Sequence, residues 1–160
     1  MSKKGFTLIE LLVVIGIIAI LAAIVVIAVN PGRQFAQARN AQRWSDVNAM
    51  LNAVHQYAVD NQGAVPATID TDDATVQVIG TGGTGGCPTD CTGTGKSVAD
   101  CLNLSDDLVG ANQTYLTGIP TDPSDGTAAV TNYYVNQEGT RRITVGACSA
   151  EEGETITVTR

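Results

Sequence analysis

The hydrophobic residues are concentrated in one unbroken stretch near the amino terminus. From Leu11 to Val29 every residue is apolar or glycine. As an α-helix this stretch is about 28 Å long, close to the ~30 Å hydrocarbon core of a bilayer. No small-residue cleavage site of the secretory type follows it, because Val29 leads directly into Asn30 and Pro31. The pattern therefore predicts a retained membrane-spanning helix over residues 6–29.

A second, amphipathic helix is predicted over residues 30–63, where apolar residues recur at intervals of three and four. Pro31 and Gly32 each weaken a helix, so we expect a kink or local break where the chain leaves the membrane. The apolar stripe needs a cover, from the rest of the chain or from neighbouring molecules. Its predicted members are Trp44, Val47, Leu51, Val54 and Ala58.

Four polar or aromatic residues of this helix say less about function. Arg39 and Arg43 form a small basic face near the membrane, and the sequence does not decide between lipid headgroups and a neighbour's carboxylates as its partner. Trp44 and His55 are interpreted as packing and surface residues rather than as ligands.

The sequence of residues 64–160 predicts a head of short strands and loops. Ile143, Val145 and Ala147 alternate with more polar residues, which is the pattern of a half-buried strand. The last three predicted strands form an antiparallel meander packed on the long helix, which gives an α+β fold. The predicted segments are strands at Thr75–Ile79, Asn132–Asn136, Arg142–Ala147 and Thr155–Thr159, a long loop at Gly80–Ser97, and one or two helical turns within Val98–Val109.

Charge and composition exclude several classes of function. The net charge is −7, which argues against nucleic acid as the main partner unless a local basic patch forms, for instance around Lys96, Arg141 and Arg142. There is one histidine, no His-Glu-x-x-His zinc pattern and no Gly-x-Ser-x-Gly elbow. We therefore expect no enzyme activity and no cofactor.

Four cysteines lie beyond the apolar stretch: Cys87, Cys91, Cys101 and Cys148. An even number in a glycine-rich region favours disulfides in an oxidising compartment, and four thiolates holding zinc is the alternative. Of the three possible pairings we favour Cys87–Cys91 and Cys101–Cys148.

Glu10 is the anomaly of the apolar segment, because a carboxylate within a membrane costs about 2.5–3.5 kcal/mol or more without a partner. If the chain is cut after Gly5, Phe6 gains a free amine that can pair with Glu10, either within one chain or between staggered neighbours. The simpler interpretation places Glu10 at the headgroup level, where the helix dipole favours an anion.

The segment Lys4-Gly5-Phe6-Thr7-Leu8-Ile9-Glu10 and the apolar run after it resemble the class III signal of type IV prepilins and pseudopilins. The resemblance implies peptidase cleavage after Gly5, N-methylation of Phe6 and an assembly role for Glu10. It also implies a leader of residues 1–5 and a long helix with a small antiparallel sheet laid on it. Many type IV pilins carry a proline near the position of Ile27, and this chain does not.

The same resemblance implies a function and partners. The chain is expected to be a structural filament subunit, with a type II secretion pseudopilin or a tip subunit that binds DNA or a surface as the alternatives. It is expected to start as a single-pass inner-membrane protein with its head outside the cytoplasm. The implied partners are lipid, prepilin peptidase, an assembly ATPase, a platform protein and further copies of the chain. Some pseudopilins bind calcium near the corresponding loop, which makes Asp122, Ser124 and Asp125 weak candidates beside a simple solvated turn.

Overall fold

A computed structural model describes residues 5–72, 74–83, 86–88, 91, 94, 96–111, 114–139 and 142–160. The chain divides into two compact units, Met1–Ala36 and Gln37–Arg160. The expected leader residues before Gly5 lie outside the described part, as does Arg141 of the basic patch considered above.

The first unit contains helix α1, Leu8–Val29, in which no residue is buried. Among the described residues it is the one helix long and apolar enough to cross a membrane, with a mean hydropathy of 3.5. The expected break is confirmed and falls at Asn30, whose φ of 45° lies in the left-handed region that asparagine tolerates. Helix α2, Pro31–Asp60, starts immediately after it. Proline suits this first helical position because its fixed φ matches the helix and no N–H is needed there.

The second unit contains a five-stranded sheet in the order β2-β1-β3-β4-β5. The predicted meander is confirmed, since β3, β4 and β5 pair antiparallel in sequence order. β1 adds to β3 antiparallel, and β2 adds to β1 as a parallel edge strand. The strands are β1 Thr75–Ile79, β2 Ser97–Leu102, β3 Tyr133–Glu138, β4 Arg142–Ala147 and β5 Thr157–Thr159.

The predicted helical turn within Val98–Val109 is present in the second half of that segment, but the strand in the first half was not predicted. Ser97–Leu102 is strand β2, and only Ser105–Val109 forms a short π-helical turn. Pairing with β1 satisfies the backbone groups on one side of this segment, and Leu102 is buried at its end. Neither effect is visible in the local sequence.

The core lies between α2 and one face of the sheet. Val47, Met50, Leu51 and Val54 of α2 belong to a single buried cluster with residues of the sheet, among them Tyr133, Val135, Ile143 and Val145. Trp44, a predicted member of the apolar stripe, is not covered by the head, since the residue is 38% exposed within the chain. The buried position one turn before Val47 is Arg43, at 0% exposure. The α+β class is confirmed, and the architecture is consistent with the pilin fold.

Candidate functional site

The start of α1 is organised by Thr7 and Glu10. The Thr7 N–H donates to Glu10 Oε2 at 2.8 Å, and the Thr7 hydroxyl donates to the same oxygen at 2.7 Å. In return the Glu10 N–H donates to Thr7 Oγ1 at 3.3 Å. This is a capping box, in which two backbone donors that a helix start leaves unpaired are satisfied reciprocally. The pattern Thr-x-x-Glu in the sequence is a local signal for this capping box.

The predicted processing residues therefore lie directly beside an ordered helix start. Gly5 precedes the helix, and a Cβ at this position would meet nothing within 4 Å. Phe6 is 89% exposed, so both sides of the Gly5–Phe6 bond are accessible. Glu10 Oε2 accepts both hydrogen bonds that Thr7 donates to this carboxylate, and within the described residues no hydrogen bond reaches Oε1. A carboxylate oxygen at the surface of α1 is thus available to a cationic group.

Comparison with known proteins agrees with this geometry. The family described as the prokaryotic N-terminal methylation motif matches residues 1–26. The chain begins with a class III signal of the type IV pilin kind. No solved structure gave a significant match to the chain.

The class III signal supports a type IV pilin or pseudopilin, and it points to a structural, non-enzymatic family of proteins. Together with the apolar helix α1, it fits a membrane-anchored pilin. The match covers the amino terminus and α1 up to Val26, so it says nothing about the head.

The head contains a buried ion pair that the sequence did not reveal. Arg43 Nε and Nη2 donate to the two carboxylate oxygens of Asp122 at 2.6 and 2.9 Å. Arg43 Nη1 donates to Asn40 Oδ1 and Glu151 Oε2, and Nη2 also donates to Ser124 Oγ, each at 2.8 Å. All five N–H donors of the guanidinium are thereby satisfied, which is the condition for burying this cation.

The partners of Arg43 join α2 to two separate loops of the head. Asp122 and Ser124 lie in the loop before β3, and Glu151 lies between β4 and β5. Arg39 also binds Glu151, with Nε at 2.7 Å from Oε2, and Asn40 exchanges two hydrogen bonds with the Glu151 backbone. The sequence left the partner of the Arg39–Arg43 basic face undecided between lipid headgroups and a neighbour's carboxylates. The structure assigns both arginines to carboxylates of the same chain instead.

The three weak calcium candidates have hydrogen-bond partners within the chain. Both oxygens of Asp122 and the hydroxyl of Ser124 bind Arg43, and Asp125 Oδ1 accepts from Asn132 Nδ2 at 2.9 Å. A calcium ion needs six to eight oxygen ligands, and here the side-chain oxygens of the three candidates already accept hydrogen bonds from Arg43 or Asn132. The loop is therefore built around an internal cation, which neither the calcium nor the solvated-turn interpretation anticipated.

The four cysteines form two disulfides, but the predicted pairing is wrong. Cys87 pairs with Cys101, and Cys91 pairs with Cys148. Cys91, between β1 and β2 in the sequence, is buried in one cluster with Tyr134 and with Cys148, which directly follows β4. Cys101 lies in β2, the edge strand that the sequence did not predict. Only the strand order brings the correct partners together.

Acid is expected to destabilise the head through the carboxylates that bind Arg39 and Arg43. Hydrogen bonds from these arginines lower the pKa of Glu151 from 4.5 to about 2. Burial alone would raise the pKa of Asp122, but hydrogen bonds from Arg43 and from the Ser124 N–H hold it below its usual range. Groups with a depressed pKa stabilise the fold above the unfolded pKa and lose that contribution as the pH falls through the folded value.

We therefore expect the urea midpoint of the head to decrease as the pH is lowered from 4.5 toward about 2. Urea titrations monitored by circular dichroism at several pH values measure this. The Arg43→Met variant is the control, because it lacks the cation that holds the pKa of Asp122 down, while Glu151 keeps only Arg39. An acid dependence equally steep in that variant would contradict the assignment.

Proposed function

We propose that this chain is a structural subunit of a type IV pilus-like filament, polymerised through its amino-terminal helix. The single observation that carries the proposal is the class III signal at the start of a fully exposed apolar helix. An apolar surface of this size requires a cover, which is lipid before assembly and the helices of neighbouring subunits afterwards. The proposed segments are a leader of residues 1–5, a core helix of 6–29, an amphipathic helix of 30–63 and a head of 64–160.

Cleavage after Gly5 by prepilin peptidase would release the amine of Phe6, which is then N-methylated. A methylated amine remains a cation, and the Glu10 carboxylate is the anion that can receive it from a neighbouring subunit. Within the subunit, Thr7 already orients this carboxylate from the first turn. In an apolar filament core such a charge pair fixes the register of one helix on the next more than hydrophobic burial does.

The head is suited to a fibre outside the cytoplasm. Disulfides persist in oxidising compartments, and the pair Cys91–Cys148 spans 57 residues. By chain-entropy arguments a loop of that length stabilises a fold by about 4 kcal/mol. The assembly ATPase and the platform protein are proposed partners, and so are further copies of the chain.

Fractionation of cells tests the proposed function. Fibres sheared from the surface of cells with an active prepilin peptidase should contain this chain. Cells that lack the peptidase should retain it in the membrane fraction with the leader attached. A chain found only in membranes under both conditions, with no fibres formed, would contradict the proposal. Short fibres confined to the periplasm would instead identify a secretion pseudopilin.

A further inference from the structure

The face of the sheet opposite α2 carries a polar cavity of about 290 Å³. Tyr133 and Val135 point into the core beneath α2, so the alternating residues Tyr134 and Asn136 point to the other side. The cavity is lined mainly by β3, β4, β5 and the segment that leads into β5. Hydroxyl groups predominate among the lining residues, which include Thr144, Thr157 and Thr159.

Asn136 is the unusual residue of this cavity. Its side chain is 4% exposed, and its Oδ1 has no hydrogen-bond partner within the described residues. A buried acceptor without a partner is destabilising, and most such groups in folded proteins are paired. The neighbouring hydroxyls do not pair with it: Thr144 Oγ1 lies 2.8 Å from Thr159 Oγ1, and Tyr134 Oη donates to Thr157 Oγ1 at 3.3 Å. The wall of the cavity thus includes an amide with an unpaired acceptor.

The chemistry of the lining selects a neutral ligand. Glu138 and Lys96 line the same cavity with opposite charges, and the Glu138 carboxylate binds Arg142 at 2.7 Å, so the lining favours neither anions nor cations. The described residues contain no group of three or more His, Cys, Asp or Glu side chains that could hold a metal ion. Val76 is the one aliphatic hydrocarbon side chain among the lining residues, and each of the others carries a polar group. What remains is a molecule that both donates and accepts hydrogen bonds at many closely spaced positions.

We infer that this cavity binds a neutral saccharide of one or two rings. A threonine hydroxyl donates one hydrogen bond and accepts two, and an asparagine amide both donates and accepts, which matches the adjacent hydroxyls of a sugar. The volume lies near the lower end of the ~300–1,000 Å³ range of small-molecule sites, which suits a mono- or disaccharide. The inference concerns the head alone and does not depend on filament assembly.

Titration of the full-length chain with sugars tests this site. The ¹⁵N-labelled chain is kept in phosphocholine micelles, which have no sugar headgroup, and glucose, galactose, N-acetylglucosamine and cellobiose are added in turn. We expect amide shifts concentrated on β3, β4 and β5 for at least one of them. Asn136→Leu should weaken that binding by about tenfold or more, because an amide hydrogen bond to the ligand is lost.

The stability of the same variant separates a binding role from a structural one. Asn136→Leu removes a buried unpaired acceptor, so the melting temperature should stay the same or rise. The matched control is Asn48→Leu on α2, whose amide donates to the Trp44 carbonyl, and it should leave binding unchanged. Thr144→Val and Thr159→Val each remove one lining hydroxyl while keeping the side-chain shape, and each should also weaken binding.

Three results would overturn the inference. If none of the four sugars shifts the amide signals, the cavity does not bind a saccharide. If trialanine, added in the same way, shifts them instead, the cavity is a peptide groove. Sugar binding unaffected by Asn136→Leu and by the two threonine variants would place the site elsewhere. A marked fall in the melting temperature of Asn136→Leu would show that the amide has a structural partner.

Discussion

Arg43→Met is expected to lower the free energy of unfolding of the head by about 3–5 kcal/mol, since it leaves a buried carboxylate without its cation. Asp122 is 3% exposed, and both of its oxygens bind the Arg43 guanidinium. Methionine keeps much of the side-chain volume, so the decrease in the free energy of unfolding reflects the unpaired charge rather than a cavity. Urea denaturation of the full-length chain in micelles, followed by the fluorescence of Trp44, measures the change.

Two further variants make this result specific. Arg39→Met removes the other cation on Glu151, but that carboxylate keeps Arg43 and its side chain is 29% exposed, so we expect a loss of at most about 1 kcal/mol. The double variant Arg43→Met, Asp122→Leu should recover most of the stability, because no buried charge is left unpaired. Equal losses in Arg43→Met and Arg39→Met would contradict the proposed importance of the buried pair.

Glu10→Gln is expected to reduce the amount of chain in sheared fibres by about 10- to 150-fold, with processing after Gly5 unchanged. The amide still accepts hydrogen bonds from Thr7, so the start of α1 is preserved. What is lost is the charge-assisted bond to a neighbour's Phe6 amine, worth about 1.5–3 kcal/mol per docking step. Immunoblots of fibre and membrane fractions measure the distribution.

The matched control for this prediction is Glu154→Gln, the same chemical change at an exposed position of the head. It should leave the fibre yield at the level of the unmodified chain. Normal fibre yield from Glu10→Gln would show that the Glu10 charge plays no part in assembly, and the simpler interpretation of Glu10 at the headgroup level would then stand.

The features that the sequence predicted correctly are those carried by neighbouring residues. The class III signal is a contiguous segment, and β4 was predicted with its observed bounds because Ile143 and Val145 alternate with more polar residues. The helix break at Asn30 also follows from adjacent residues, since Pro31 suits a helix start. In each case the physical cause acts within a few positions along the chain.

The features that were missed depend on contacts between distant residues. Arg43 and Asp122 are 79 positions apart, and the disulfide partners were misassigned because β2 was not predicted. One signal for the ion pair was present, because Arg43 precedes Val47 by one helical turn and so lies on the apolar stripe of α2. A cation at a buried position requires an anion, but only the fold shows that Asp122 supplies it.

The central claim is that the chain is processed as a prepilin, and the most direct test is amino-terminal sequencing together with intact mass of the protein isolated from its native membranes and fibres. The account predicts a chain that begins at N-methylated Phe6 and is four hydrogens lighter than the fully reduced form, because two disulfides are present. A chain that keeps residues 1–5 in cells with an active prepilin peptidase would contradict it.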